Sequence, residues 1–261
     1  MISIVGAGNM GMIVASGIKE KVLISDSDIS KLRNIKYKNI SIAHNNIDLA
    51  RQSNVIILAV KPQDIRGVLE EIKPYAKEKL IISIAAGVTT FFIEKVLGRV
   101  RVIRVMPNMP AMVRKGISAI SRGRFAKAED FKIADRIFSN LGEVVEVKEK
   151  MMDAVTAVSG SGPAYYFLFT YLLAKAAEAE GLKEDLALKL AKATLIGAAE
   201  VIKSKSLSIE ELVKKVASKG GTTEVALRVF KQEKLGSIIK KAVKSALCRS
   251  SNLTIRARHH L

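Results

Sequence analysis

This 261-residue chain is short of the residues on which much enzyme chemistry depends. It has one cysteine, Cys248, three histidines and no tryptophan. A single cysteine excludes an internal disulfide and fits a reducing compartment. The histidines are His44, His259 and His260, the last two in a tail expected to fray. No His–Cys cluster has the spacing of metal ligands, so no metal site is expected. Neither a G-x-S-x-G elbow nor a Ser-His-Asp arrangement is present. No uninterrupted apolar run reaches the roughly 18 residues of a membrane helix. The nearest, 164–177, contains Thr170 and Lys175 and follows Pro163. No basic n-region precedes the first apolar segment, so no signal peptide is read and a cytoplasmic location is expected.

Acidic residues are also scarce, 25 against 43 basic, giving a net charge of +18. Such an excess can mark a nucleic-acid or acidic-membrane surface. Its distribution argues otherwise. Residues 1–150 hold 25 Lys/Arg and 15 Asp/Glu, and the remainder 18 and 10. The charge is thus spread over both parts, with no long basic run and no arginine–aromatic interleaving. A solvated basic surface that attracts small anions is the expectation, with no nucleic-acid and no membrane partner.

What the chain does have is concentrated at its start, Met1-Ile-Ser-Ile-Val-Gly-Ala-Gly-Asn-Met-Gly11. The β-branched run 2–5 reads as a buried strand, and a helical pattern follows at Met12, Val14, Ala15 and Ile18. Between them Gly6, Gly8 and Gly11 form G-x-G-x-x-G. Gly6 serves the tight turn, Gly8 the approach of backbone to a pyrophosphate, and Gly11 close helix–strand packing. The helix N-terminus adds free N–H groups and partial positive charge. In this strand–turn–helix context the fingerprint predicts a dinucleotide site.

To about residue 150, short apolar strands (2–5, 22–25, 40–42, 54–60, 80–84, 101–105, 116–120, 143–147) alternate with helical periodicity. This predicts an α/β Rossmann-type domain, with a parallel sheet covered on both faces. Ligands of such sheets sit beyond the strand C-termini. Residues 151–261 read as an all-α domain with helices at 153–180 (bent or broken near 160–163), 184–203, 209–216, 222–232 and 236–247. The stretches 164–177 and 186–202 are apolar on most faces, too much for so small a domain to bury alone. An intertwined homodimer is therefore expected.

The second strand ends Leu23-Ile-Ser-Asp-Ser-Asp28. Asp26 fits the acid that holds ribose hydroxyls and favours NAD, with Asp28 as second choice. Against that, Ser25 and Ser27 can donate to a 2′-phosphate, with Lys31 and Arg33 near enough to neutralise it. NAD and NADP both stay open, and Asp28 reads equally well as a helix cap. Asn46 reads as an N-cap, Lys61 as a contact to phosphate, ribose or a substrate acid, and Pro62 as the first turn of a helix. Residues 104–111, RVMPNMPA, make a loop stiffened by two prolines, suited to positioning a substrate. Two polar islands stand among the later helices, Ser159-Gly-Ser-Gly-Pro163 and Ser218-Lys-Gly-Gly-Thr-Thr-Glu224. The second precedes a helix, so Gly220, Gly221, Thr222 and Thr223 can offer N–H groups and hydroxyls to a small carboxylate as well as cap it. With so little acid–base equipment, hydride transfer to an already protonated imine is the fitting chemistry, since the cofactor carries the difficult step.

Taken together, GAGNMG at 6–11, AVKPQ at 59–63, AAG at 85–87, RVMPNMPA at 104–111, DAVTAVSGSGPAYYF at 153–167 and SKGGTT at 218–223 resemble the pyrroline-5-carboxylate reductase family in order over nearly the whole chain. The resemblance implies hydride transfer from NADPH or NADH to the C=N bond of 1-pyrroline-5-carboxylate, giving L-proline. It also implies a Rossmann domain, a helical dimerisation domain, active sites between subunits and dimers that assemble into larger rings. Carried over by position, Gly6, Ala7, Gly8, Asn9, Met10 and Gly11 would contact the cofactor, with Ser25 and Asp26 at its ribose. Asn46, then Ala59, Val60, Lys61 and Pro62, then Ala85, Ala86 and Gly87 would complete that set, and Asn108 is counted with it. Ser218, Gly220, Gly221, Thr222 and Thr223 would hold the substrate, with Thr223 matching the threonine that hydrogen-bonds its nitrogen. Met109 replaces a usual threonine and Lys219 a frequent proline. The alternatives are a related imine or β-hydroxyacid reductase, and a nucleotide-sensing DNA-binding regulator. A β-hydroxyacid enzyme wants a lysine where 159–163 has none, and a regulator wants a reading helix less apolar than any here.

Overall fold

The computed structural model describes all residues except Asn34, Lys205, His260 and Leu261, and describes no side chains at 254–259. Eight strands form one sheet: β1 Ile2–Val5, β2 Val22–Ser25, β3 Ile40–Ile42, β4 Val55–Leu58, β5 Leu80–Ser83, β6 Arg101–Met106, β7 Gly116–Arg122 and β8 Gly142–Glu146. Their spatial order is β3-β2-β1-β4-β5-β6-β7-β8. Five helices link them: α1 Asn9–Gly17, α2 Asn46–Gln52, α3 Ile65–Ile72, α4 Thr90–Leu97 and α5 Ala128–Phe138. Four of the strands, β1, β2, β4 and β5, are buried along their whole length, which is why they read as unbroken apolar runs. Successive residues feed opposite layers. Ile4, Ile24, Ile57 and Ile82 pack on one face with Val14 and Phe138. Val5, Ile56, Leu58 and Ile81 pack on the other with Leu49, Leu69 and Phe92.

The expected all-parallel sheet needs one correction, because β7 runs antiparallel to β6. Residues 107–115 between them hold only a 3-10 turn, Met109–Val113, too short to carry the chain back across the sheet. With α5 as crossover, β8 returns parallel to β7. The strand bounds expected at 54–60 and 143–147 shift to 55–58 and 142–146.

By internal contacts, one compact unit comprises Met1–Ser161 with the segment from Ser245, and the other Gly162–Lys244. The composition changes near 150, yet the short helix α6 (Met152–Val155) and the π-helical turn Thr156–Gly160 stay with the sheet unit. Met152 and Ala157 are fully buried there, and Asp153 accepts hydrogen bonds from Ser250 Oγ at 2.8 Å and Ser251 Oγ at 3.1 Å.

The second unit holds α7 Gly162–Ala179, α8 Glu184–Ser204, α9 Ile209–Val216, α10 Thr222–Gln232 and the beginning of α11, Leu235–His259. Ser208 and Glu211 form a capping box that starts α9. The bounds of α9 and α10 are those the sequence predicts, whereas α11 continues well past 247. His259, expected in a frayed tail, falls within α11, and His260 lies outside the described residues. On α7 only Gly162, Thr170 and Ala174 are buried, and on α8 only Ala187 and Ala191. Their large apolar side chains are therefore exposed in the single chain.

Ile57 has no solvent exposure and Ile29 is 66% exposed. Ile57→Ala should cost about 2–5 kcal/mol by the cavity it leaves, and Ile29→Ala less than about 0.5 kcal/mol. Urea unfolding at one fixed protein concentration measures both.

Candidate functional site

The β1–α1 turn is fixed by what a side chain there would strike. Gly6 has φ +109°, and its N–H donates to Ser25 O at 2.7 Å. A Cβ on Gly6 would lie 2.6 Å from Ala59 O, and one on Gly11 only 2.1 Å from Gly6 O. A Cβ on Gly8 would meet nothing within 4 Å. Two glycines thus serve packing, while the third leaves open space at the N-cap of α1. No side chain caps that helix, so the first-turn N–H groups of Asn9, Met10 and Gly11 remain for an anion. This cradle fits the pyrophosphate of a dinucleotide.

At the end of β2, Asp26 Oδ2 accepts from Ala7 N at 2.7 Å and Oδ1 from Asp28 N at 2.8 Å. Lys31 Nζ lies 3.1 Å from Oδ1. Partial burial pushes this carboxyl up, but the two N–H donors and the Lys31 ammonium outweigh it and hold its pKa below the ordinary value. Lys31, expected near a 2′-phosphate, is paired with Asp26. Asp28 caps the short 3-10 turn Ile29–Lys31 through Ser30 N. Ser25 is buried and its Oγ donates to Asn46 Oδ1 at 2.7 Å, which removes it as a donor to a 2′-phosphate. Ser27 is exposed.

Two capping expectations change. The N-cap of α2 is Asn45, which accepts from Asp48 N, and Asn46 is the first helical residue. The side chain of Asn46 instead spans Ser25 and Glu71 Oε2, the latter at 2.7 Å. Pro62 lies in the turn Lys61–Asp64 rather than in α3, which begins at Ile65.

Ala59 N donates to Val5 O at 2.8 Å, and Ile84 N to Leu58 O at 3.0 Å. Val60 and Lys61 therefore leave β4 beside the glycine turn, with the Lys61 side chain exposed. Beyond β5, Ala85 is buried and Ala86–Gly87 turn the chain, with Gly87 at φ +73°. The loops after β1, β2, β4 and β5 thus converge where strand order reverses at β1, the ligand position of a doubly wound sheet.

Asn108 is buried. Its Oδ1 accepts from Ile117 N at 2.9 Å, and its amide approaches Ser159 O and Oγ at 3.3 Å. The rigid loop is thereby tied to β7 and to the π-helical turn, a feature common at functional sites. Arg104 stands in no sequence pattern that marks it individually as functional. It is 3% exposed, 3.6 Å from Glu149 Oε1, with one guanidinium nitrogen that has no hydrogen-bond partner among the described residues. Burial lowers its pKa, and Glu149 and Asp153 work against that. Glu149 also accepts from Thr90 N and Oγ1 at 2.7 and 2.6 Å. An arginine inside the apolar run Val102–Val105 was the available signal.

In the helical unit, Ser218 and Gly220 are exposed and Gly221 is the N-cap of α10. Gly220 has φ +74°, its N–H donates to Glu224 Oε2 at 2.6 Å, and Gly221 N donates to Ser218 O at 3.0 Å. Thr222 is exposed and Thr223 half-buried. Neither hydroxyl has a hydrogen bond among the described residues, so both remain for a ligand. No His/Cys/Asp/Glu group suited to a metal occurs among the described residues, and no helix among them is long and apolar enough to cross a membrane.

A glycine turn at the switch point of a doubly wound sheet, with an acid at the end of the second strand, defines a dinucleotide-binding oxidoreductase domain. The family model described as pyrroline-5-carboxylate reductase dimerisation matches residues 149–253, and NADP oxidoreductase coenzyme F420-dependent matches 1–87. Pyrroline-5-carboxylate reductase of Methanosarcina acetivorans is 38% identical, covering 97% of both chains. The solved structure of a pyrroline-5-carboxylate reductase from Coxiella burnetii superimposes with a TM-score of 0.89 at 34% identity, over 97% of this chain and 98% of that one. A Plasmodium falciparum pyrroline carboxylate reductase solved with NADP bound gives 0.87 at 31%, over 97% of each. The chain belongs to the pyrroline-5-carboxylate reductase family.

Because Gly8 faces open space and Gly11 faces backbone, alanine separates their roles. Gly11→Ala should lower both Tm and dinucleotide affinity. Gly8→Ala should leave Tm within a degree or two while weakening dinucleotide binding by about tenfold or more, roughly 1.4 kcal/mol. Thermal melts beside a fluorescence titration with NADPH read the two effects.

Proposed function

We propose that the chain reduces 1-pyrroline-5-carboxylate to L-proline with NADPH. Near-full-length identity to curated pyrroline-5-carboxylate reductases carries this reading, and the open glycine cradle supports it. When bound, the reduced nicotinamide supplies the hydride, which reaches the C=N carbon while the protonated nitrogen becomes the ring amine. The protein's part is binding and orientation.

Residues Gly6–Gly11 hold the pyrophosphate. Ser25, Asp26 and Asn46 shape the ribose end, while Ala59–Pro62, Ala85–Gly87 and Asn108 line the path toward the nicotinamide. Paired with Lys31, Asp26 presents less net negative charge than a lone carboxylate, which suits NADPH and leaves NADH as a second donor. Ser218, Gly220, Gly221 and Thr222 hold the carboxylate at the N-terminus of α10, and the Thr223 hydroxyl meets the ring nitrogen. In functional terms 1–150 is the dinucleotide domain and 151–261 the dimerisation and substrate domain.

The working unit is a homodimer with active sites between subunits, capable of assembling into a ring of dimers, in the cytoplasm. The match to a dimerisation family supports the pairing. So do Tyr166, Phe167, Leu168 and Ile196, each more than half exposed in the single chain.

Oxidation of NADPH, and separately NADH, followed at 340 nm with 1-pyrroline-5-carboxylate tests the activity; no turnover with either refutes it. Thr223→Ala should lower kcat about tenfold with the Kd for NADPH unchanged, the worth of one hydrogen bond to a charged group. Unchanged turnover would remove Thr223 from this role. By light scattering at micromolar concentration the wild type should be at least a dimer, and Leu168→Asp should shift it toward monomer.

A further inference from the structure

Most of the basic excess is dispersed, but at one place it is gathered into a concavity. Lys77, Arg99, Arg101, Arg124 and Lys127 line a cleft of ≈ 660 Å³, with Phe125 also in its wall and Glu78 as the one acid there. Topology sets this cleft apart from the dinucleotide turn. Residues 77–79 lead into β5 and 99–101 into β6, while antiparallel β7 delivers 124–127 to that same edge. The glycine turn lies at the opposite edge, beyond the C-terminal ends of β1 and β4.

The cations there are not all spent. Arg101 is an internal brace, with Nη1 on Asp130 Oδ1 at 2.7 Å and Nη2 on Glu78 O at 2.5 Å. Asp130 Oδ2 is occupied by Lys127 N at 2.8 Å. Arg99 and Arg124 are held differently, each over the Phe125 ring, at 5.6 and 5.5 Å from its centroid. A ring face steadies a guanidinium without using up its planar N–H donors. Behind them, Glu94 accepts the backbone N–H of Arg124 at 2.7 Å and also attracts its guanidinium, though without a close ion pair. Among the described residues, neither guanidinium and neither the Lys77 nor the Lys127 ammonium has an ion pair. Two preorganised forks and two ammonium groups thus face one cleft against a single lining carboxylate.

We propose that this cleft binds a small polyphosphate anion. Guanidinium forks match phosphate oxygens bidentately, and several phosphates in a row are needed to meet four separated cations. A nucleic acid would need a basic stripe that tracks its backbone. Here the charge is confined to one concavity of small-ligand size. The reading is independent of the reaction proposed above.

Calorimetric titration of the full chain with inorganic tripolyphosphate, at about 150 mM and again at lower salt, tests this. Binding should tighten as salt falls and weaken at least about tenfold in Arg99→Gln/Arg124→Gln. That double variant should keep its NADPH affinity and turnover. Because it retains the glycine turn, binding that belongs to the turn survives in it and is recognised as such. Lys77→Gln, a milder change, should lose about threefold. ATP titrated in parallel separates a free phosphate chain from a nucleoside triphosphate, and binding of either that is lost in the double variant supports the site. Absence of binding, binding unchanged in the double variant, or capture of a random DNA duplex with no response to tripolyphosphate overturns it.

Discussion

The contact on which this structure depends is the one between the β1–α1 turn and the end of β4. Val5 pairs with Leu58, and one residue later the two chains come too close for any side chain at Gly6. The positive φ there turns the chain sharply enough to set Gly11 against Gly6 O, which seats α1 directly on the strand. A methyl at either glycine would push α1 or β4 away and unpack the apolar layers on both faces at once. The same closeness aims the first-turn amides of α1 at the mouth of the sheet. Packing and the exposure of those amides are thus one constraint, relaxed only at Gly8, where a side chain would meet open space.

A second dependence is electrostatic. Arg104 lies buried on β6, an interior strand, where a cation is costly unless paired. Glu149 supplies the counter-charge and is itself fixed by Thr90, so β6, the start of α4 and the turn after β8 share one network. Removing Glu149 would leave the guanidinium buried without its partner, which is worse than never having placed it. Four residues on, Asn108 ties the proline loop to Ser159. The loop's stiffness therefore comes from buried polar contacts as much as from Pro107 and Pro110.

Elements governed by local chemistry were legible in the sequence. Glycine spacing after a β-branched run located the dinucleotide turn, and the bounds of α9 and α10 were legible directly, with Ser208 and Glu211 as a capping box at the start of α9. Pairings between distant segments were harder to read. Asn45 and Asn46 are both capping types, and which of them caps depends on Ser25 and Glu71 drawing the Asn46 side chain aside. Lys31 looked available for a phosphate until Asp26 claimed it. The direction of β7 followed from what residues 107–115 fail to form, and absence of a helix is a weak pattern. Clustering of 77–79, 99–101 and 124–127 was invisible because the three segments share a sheet edge and nothing in sequence. The summed charge showed only the excess.

The exposed helices bear on the chemistry as well as on assembly. Phe169 of α7 and Phe230 of α10 meet edge to face with centroids 6.4 Å apart, so α10 takes part of its position from α7. At the N-terminus of α10 stand Thr222 and Thr223, the residues read as holding substrate. Yet α7 buries almost nothing large of its own, and fully covering one such side chain is worth about 1.5–3 kcal/mol. On the dimer reading, the second copy that covers α7 also immobilises the platform from which α10 projects. A monomer would then retain the dinucleotide turn, which is set by β1, β2 and β4, and lose the rigidity of the substrate loop. On that same reading, separation of the two functions along the chain would give pairing a role in catalysis.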